Sequence, residues 1–261
     1  MARSITEYTQ LEYEAARTGT VPHTHTLHDM AREQYLNDLK LGWYQVTIIF
    51  FLFSVIGLML EETWIRISMG IAQSRAGLIW GPLSPVYGTG AVLLTSVSLS
   101  VRRRGGTPGQ LFLASMLVGG LLEQVTGWGM ETFMGAVSWD YIAGGIPGAV
   151  TKWVAMPFLI AWGLMGLVWG TVIMPEVLFH IGEPSSGMRV VVTAVLGAFL
   201  VADITVTLTC FGRVIGRDAH IAPTNALEQW VDDNYGDEFF FRRFGNMEIE
   251  GIREDAFERA S

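Results

Sequence analysis

Charge is scarce in this sequence. Only 16% of its 261 residues are Asp, Glu, Lys or Arg, against about a quarter in ordinary soluble domains. Cysteine is nearly absent: Cys210 stands alone, so no internal disulfide can form. No basic face appears outside the two ends of the chain, which argues against a nucleic-acid partner. The first 40 residues are polar, so no cleavable signal peptide is expected there. No GxxxxGK[ST] loop occurs, which excludes ATP hydrolysis by that route. No HExxH, GxSxG or cysteine-based zinc pattern occurs either, which weakens an enzymatic reading.

What fills the chain instead is apolar. Half of the residues are hydrophobic and mean hydropathy is +0.36. The charges gather in the first 40 residues, the last 50 and the run Arg102-Arg103-Arg104. Between them lie stretches of roughly 20 residues, the length that crosses a hydrocarbon core. The expected fold is all-α, a polytopic membrane bundle of about five transmembrane helices. The spans are predicted at 44–67, 81–101, 110–134, 153–178 and 189–212. Residues 1–43 form a polar N-terminal segment, 44–212 the bundle and 213–261 a polar C-terminal tail. The basic run in a short loop places Arg102–Arg104 on the cytoplasmic side. The expected location is integral to a bacterial plasma membrane.

The tails carry smaller signals. "HDMAREQYLNDLK" predicts an amphipathic helix through Met30, Tyr35 and Leu36. His23, His25 and His28 read as a solvated turn around Pro22 rather than a metal site. A short helix is expected from Thr224 as N-cap. "FFFRRF" at 239–244 suits either a membrane interface or a packed aromatic cluster.

Acids occur at membrane depth, where they persist only facing a bundle interior, a cavity or a partner. Glu61 and Glu62 close the first span, with Gly57 one turn before Glu61. In the third span, Ser115, Gly119, Glu123, Gly127 and Glu131 recur every four residues. That spacing places small residues and two carboxyls on one slowly drifting helix face. Asp203 lies in the fifth span, with Thr207 one turn on. These acids either pair with Arg66, Arg75 or Lys152 to hold the bundle, or line a pocket for a cation, proton, metal or polar substrate. Arg75 is the favoured partner, because its fork can bridge two carboxylates.

"GPLSPVYG" at 81–88 is the oddest stretch. Its Pro82 and Pro85 lack backbone donors, where a membrane helix should begin. Non-helical backbone is tolerated at membrane depth where it lines protein or a wet cavity. The stretch is then either a broken entry beside a shared polar pocket, or a first helical turn, where proline costs little.

Several motifs together resemble the CmpB-like ABC-transporter permease family. "GLMLE" at 57–61 is similar to its acid after a glycine. "SRAGLIWGPLSPVYGTG" at 74–90 resembles its "NRG-F-L-x-GP-x-x-P-x-YG-x-G" block. "LLEQVTGWGMETFMGAVSWDY" at 121–141 and "AWGLMGLVWGTVIMP" at 161–175 follow its later helices. The resemblance covers about residues 50–205. It implies a five-helix membrane protein and shared polar residues at Glu61, Arg75, Pro82, Pro85, Tyr87, Glu123, Glu131, Trp139, Asp140 and Tyr141, with Asp203 as the acid of the last helix. The asparagine of the family's "NRG" is Ser74 here, Ala76 separates Arg75 from Gly77, and its "NxxGR" block is "GGIPGAV" at 144–150, without arginine. A pocket that used that arginine lacks a cation unless Lys152 substitutes.

The function expected is a small-molecule or ion transport component with an acid-lined pocket. The alternatives are a membrane-embedded enzyme acting on a lipid-like substrate, or a structural or assembly subunit of a larger membrane complex. Membrane lipid is an expected partner, as are further copies of the chain or partner membrane subunits. Gly163, Gly166 and Gly170 would offer a face for oligomerisation. An ABC permease implies a separate nucleotide-binding partner. Nothing in the sequence names a cofactor, and a metal held by carboxylates alone stays open.

Overall fold

A computed structural model describes residues 24–245 and 247–249, with side chains from residue 28 onward. His23 and the side chain of His25 lie outside the described residues. The elements, in order, are α1 (Thr24–Asp38), α2 (Trp43–Met69), α3 (Pro85–Arg103), α4 (Pro108–Met134), β1 (Ala136–Val137), α5 (Met156–Ile181), α6 (Ser186–Asp218), α7 (Ala226–Asn234), α8 (Asp237–Arg243) and β2 (Glu248–Ile249). A π-helical turn, Trp169–Ile173, interrupts α5.

Four of the five expected spans, α2, α4, α5 and α6, are long and apolar enough to cross a membrane. The remaining one, α3, has 19 residues and ends in Arg102 and Arg103; it is not among those four. The exposed surface of these helices is inverted relative to a soluble protein. α6 exposes Val190, Val191, Val195, Val201, Ile204 and Leu208 while burying Asp203 and Thr207. Apolar groups on the outside and polar groups inside suit lipid as the solvent. This is an all-α membrane-type bundle.

The chain divides into two compact units, and the long helices contribute segments to both. The first unit holds residues up to Ile49, Ala91–Val118 and Ile160–Gly197. Its interhelical contacts are built from small side chains. Gly163 lies under Phe112, Gly166 under Ser115, and Gly170 under Ser98 and Leu111, so close that a Cβ at any of them would overlap its neighbour. These glycines therefore serve packing within the chain, and the face expected to be free for oligomerisation is occupied. The Trp169 indole N–H donates to Thr95 Oγ1 at 3.1 Å. Helix α1 docks on the end of α5 through Tyr35, whose ring meets Phe179 edge-on at 5.8 Å, and through an Arg32–Glu176 ion pair. Tyr35 and Leu36 are buried as expected, but Met30 is 59% exposed and Ala31 takes the inward position. His28 packs edge-on against Phe179.

The second unit holds Phe50–Gly90, Gly119–Leu159 and the chain from Ala198 on. Its apolar core joins Val206, Cys210, Phe211 and Val214 of α6 to Val231, Phe240, Phe241, Phe244, Met247 and Ile249 of the tail. The "FFFRRF" segment thus packs inward: Phe240 and Phe244 each lie 4.9 Å or less from the Phe211 ring. The tail is tied further by strand pairing, Ala136 with Ile249 and Val137 with Glu248. Helix α7 starts one residue later than expected. Asn225 is its N-cap and accepts from Glu228 N; Thr224 instead donates to the Glu228 carboxylate.

Candidate functional site

The polar residues singled out by sequence fall in the second unit. The segment between α2 and α3 contains no helix from 70 to 84, yet Ala76, Leu78, Ile79, Leu83 and Ser84 are buried. Buried irregular backbone must find partners for its N–H and C=O groups. It finds them in side chains from elsewhere in the unit. Trp80 N donates to Asp203 Oδ1 at 3.0 Å, and Ile79 N donates to Thr207 Oγ1 at 3.0 Å. Arg243 donates from Nε to Leu78 O at 2.9 Å and from Nη2 to Gly81 O. Gly81 sits at φ +65°, a conformation that favours glycine.

This resolves the two prolines separately. Pro85 is the first residue of α3, where a missing N–H costs nothing. Pro82 belongs to the non-helical loop and lines a cleft of about 350 Å³ with Leu58, Glu62, Arg66, Ala72, Gln73, Ser74 and Arg243. Asp203 is fully buried, and its hydrogen bonds go to the loop and to Thr207. Its observed work is to hold the loop.

The remaining acids meet cations in two groups. At the end of α2, Arg75 Nε lies 3.1 Å from Glu61 Oε1, and the Arg75 backbone N–H donates to Glu62 Oε1 at 3.0 Å. Both side chains of the Glu61–Arg75 pair are about one-quarter exposed. The Tyr87 hydroxyl reaches Glu61 from α3. It can do so because Gly57 has no side chain: the Tyr87 ring rests directly on that glycine.

The second group lies at the end of α4 and in the loop after it. Lys152 Nζ donates to both oxygens of Glu131 at 2.8 Å and lies 4.0 Å from Asp140 Oδ2. Asp140 Oδ1 accepts from Ile142 N and Ala143 N, pinning the loop turn. Arg75 was the expected partner of Glu131, but Lys152 holds that place. Residue 152 is carried back to α4 by the loop that Asp140 shapes.

Tyr141 follows Asp140 in the same loop. Its hydroxyl donates to Glu123 Oε1 at 3.4 Å, and its backbone N–H donates to Lys152 O at 2.8 Å. Burial, reinforced by the Glu123 carboxylate, pushes the Tyr141 phenol up, so it stays a neutral donor. Its ring stacks on Phe158 at 4.5 Å. The stripe on α4 faces inward as its spacing predicted: Ser115, Gly119, Glu123 and Gly127 are buried and Glu131 is half-buried. Gly127 lies against the Trp153 ring. Trp139 donates from Nε1 to Trp153 O at 3.1 Å. Trp153's own indole N–H is shielded from solvent and has no hydrogen-bond partner among the described residues. The Lys152 ammonium sits 5.7 Å from that ring. Among the described residues, no cluster of His, Cys, Asp and Glu could hold a metal ion.

Sequence reasoning overlooked Arg243 and gave Glu62 no role of its own. Arg243 acts on backbone more than 160 positions away in sequence, and the only local signal was the "RR" inside an aromatic run. The tail also carries a compact ion network outside the expected site. Arg213 reaches Asp232 at 2.8 Å, and Arg217 bridges Asp232 and Asp237 at 2.5 Å each. The Arg213 hydrogen bond holds the Asp232 carboxyl below the usual carboxylate range.

No curated protein and no solved structure matches the chain. A family model does match, over residues 48–208, from the second turn of α2 to well into α6. That interval contains the loop at 70–84, both ion-pair groups, Tyr87, Tyr141 and Asp203, and it spans more than half of the sequence. The chain belongs to the family described as "Putative ABC-transporter type IV".

Proposed function

We propose that the chain is a small-molecule or ion transport component whose polar site comprises the Glu61–Arg75 and Glu131–Lys152 groups together with Tyr87, Tyr141 and Glu123. One observation carries the reading: five ionisable side chains and two phenols pair off within one unit of an apolar bundle, as Glu61 with Arg75 and Tyr87, Glu123 with Tyr141, and Glu131 with Lys152. Burying charges is expensive, and apolar residues of equal volume would hold helices together as well. Polar networks kept in a membrane bundle generally serve passage or binding.

Each part has a distinct job in this reading. Glu61 and Glu131 take up cationic or hydrogen-bond-donating groups. Arg75 and Lys152 neutralise the carboxylates when the site is empty, so no bare charge stays buried. Tyr87 and Tyr141 are neutral donors between them. The Trp153 indole N–H, facing no acceptor, is available to a ligand carbonyl, hydroxyl or bound water. Pro82 and the loop at 70–84 form the wall nearest the cleft, and Asp203 and Arg243 hold that wall in shape. An ATP-driven version needs a separate nucleotide-binding subunit, because this chain has no phosphate-binding loop.

The competing reading is that the ion pairs only hold the helices. Reconstituted in liposomes loaded with a pH- or cation-sensitive dye, the protein should conduct, and Glu131→Gln should abolish conduction while the variant stays folded. Equal flux from Glu131→Gln and the parent protein would sink the transport site.

A further inference from the structure

A second cleft lies in the first unit, away from every residue assigned above. It has a volume of about 380 Å³ and is lined by Leu41, Ser96, Leu99, Ser100, Arg103 and Arg104. No carboxylate lines it. We infer that it binds the phosphodiester of a membrane phospholipid with a net negative headgroup.

The residues fall in a stripe. Positions 96, 100, 103 and 104 recur at helical spacing, so two hydroxyls and two guanidiniums share one side of the end of α3. The triple arginine is not one uniform patch. Arg102 is neutralised by Glu33 of α1, whereas neither Arg103 nor Arg104 has an ion-pair partner among the described residues. Arg103 is held in place because its Nη2 donates to Leu39 O, which leaves the rest of its fork free. The Ser100 hydroxyl makes no hydrogen bond among the described residues, so its proton is available. Ser96 already donates to Val92 O and serves only as a lining group.

The α-helix dipole argues against an anion here, since a C-terminal end carries partial negative charge. Two full positive charges outweigh that half charge. The apolar part of the lining decides the source of the phosphate. Leu41 is part-exposed and offers carbon surface, which a free ion does not use, while Leu99 is buried behind the lining, and Trp43, two positions from Leu41 in sequence, is 79% exposed. An exposed tryptophan two positions from a residue that lines the arginine cleft is what the headgroup level of a bilayer selects. A lipid satisfies both parts: phosphate on the guanidiniums, glycerol and acyl carbons along Leu41.

The test uses the full chain in bilayer nanodiscs of phosphatidylcholine mixed with phosphatidylglycerol, released into native mass spectrometry. The parent protein should retain phosphatidylglycerol in preference to phosphatidylcholine. R103Q/R104Q should weaken that retention roughly thirtyfold, from about a factor of five per charge near the surface. R104Q alone, at an exposed residue without a partner, should fold normally and lose about fivefold. R103K/R104K should retain most of it, because charge is kept. R66Q, in the other cleft, should leave phosphatidylglycerol retention unchanged. Equal retention by R104Q and the parent protein would overturn the proposal. Displacement of the lipid by added inorganic phosphate would also overturn it, by showing a free-anion site.

Discussion

In the first unit, glycines lie where helices press together and their neighbours are Phe112, Ser115 and Ser98, which offer at most a hydroxyl. In the second unit, Gly57 lies under Tyr87 and Gly127 under Trp153, and those rings border ion pairs. The same device, a missing side chain, lets helices approach in both units, as at Gly120 under Leu159, and in the second it also seats aromatic rings beside ion pairs. The polar residues differ likewise. Thr95 in the first unit accepts one indole hydrogen bond, whereas Asp203 and Thr207 in the second hold up a whole non-helical segment. A membrane bundle can be stabilised the first way alone. The second arrangement places charge and irregular backbone at a cost, and that contrast points to function.

The largest effect should come from forcing a side chain into the second unit's glycine contact. Gly127→Leu would drive carbon into the Trp153 ring, and overpacking of this kind costs about 1–3 kcal/mol, or more where nothing can shift. Loss of the folded fraction on size exclusion, together with a lower melting temperature, would report it. The matching change in the first unit, Gly166→Leu, should destabilise as much but leave ligand-dependent properties of any residual folded protein intact. If both substitutions were silent, close packing would not be what these glycines provide.

Asp203→Ala should follow. It strips the acceptor from a part-buried Trp80 N–H, and an unsatisfied donor shielded from water costs about 1–3 kcal/mol. Hydrogen exchange should speed up at residues 77–84 while α5 stays protected. Arg75→Ala leaves Glu61 without its cation. The pair is partly exposed, so the expected loss is about 1–2 kcal/mol, below the cost of breaking a fully buried pair. Arg75→Lys should recover part of it.

How much of this could be read in advance depended on the range of the signal. The spans of α2, α4, α5 and α6 follow from hydropathy, and the α4 stripe from its four-residue spacing, because both are local properties. Hydropathy starts the second span at 81, whereas α3 begins at Pro85. The sequence shows two prolines but not that Asp203, Thr207 and Arg243 make an extended loop affordable there. Pairing within the site was least legible. Glu131 takes Lys152 rather than Arg75 because the Asp140 turn carries residue 152 back to α4, and nothing in the spacing of acids encodes that. Composition sets the polar tail at 213–261 apart from the bundle. Its Phe240 and Phe244 pack on Phe211 of α6.

Acid should act on the tail in a defined direction. The Asp232 carboxyl has a folded pKa below its ordinary value of 3.8. Its stabilising effect is therefore fully present above that value and is lost as pH falls through the folded pKa. Hydrogen exchange across α7 and α8 should accelerate selectively in that acid window, with α1 and its contacts unaffected by this group. Asp232→Asn should show fast exchange already at neutral pH and little further change there. The smallest effect belongs to the lipid-facing side: Leu117 is 68% exposed, and Leu117→Ala should shift stability by less than about 0.5 kcal/mol.

The most direct test exchanges a charge pair across the site. Glu131→Lys combined with Lys152→Glu preserves the ion pair in reversed order. Thermal stability and dye flux of the double variant in proteoliposomes separate holding from handling. The account predicts that stability returns to near the parent value while flux stays abolished, because the reversed charges meet the transported species with the wrong sign. Recovery of both stability and flux would contradict it, and the acids would then serve only to join helices.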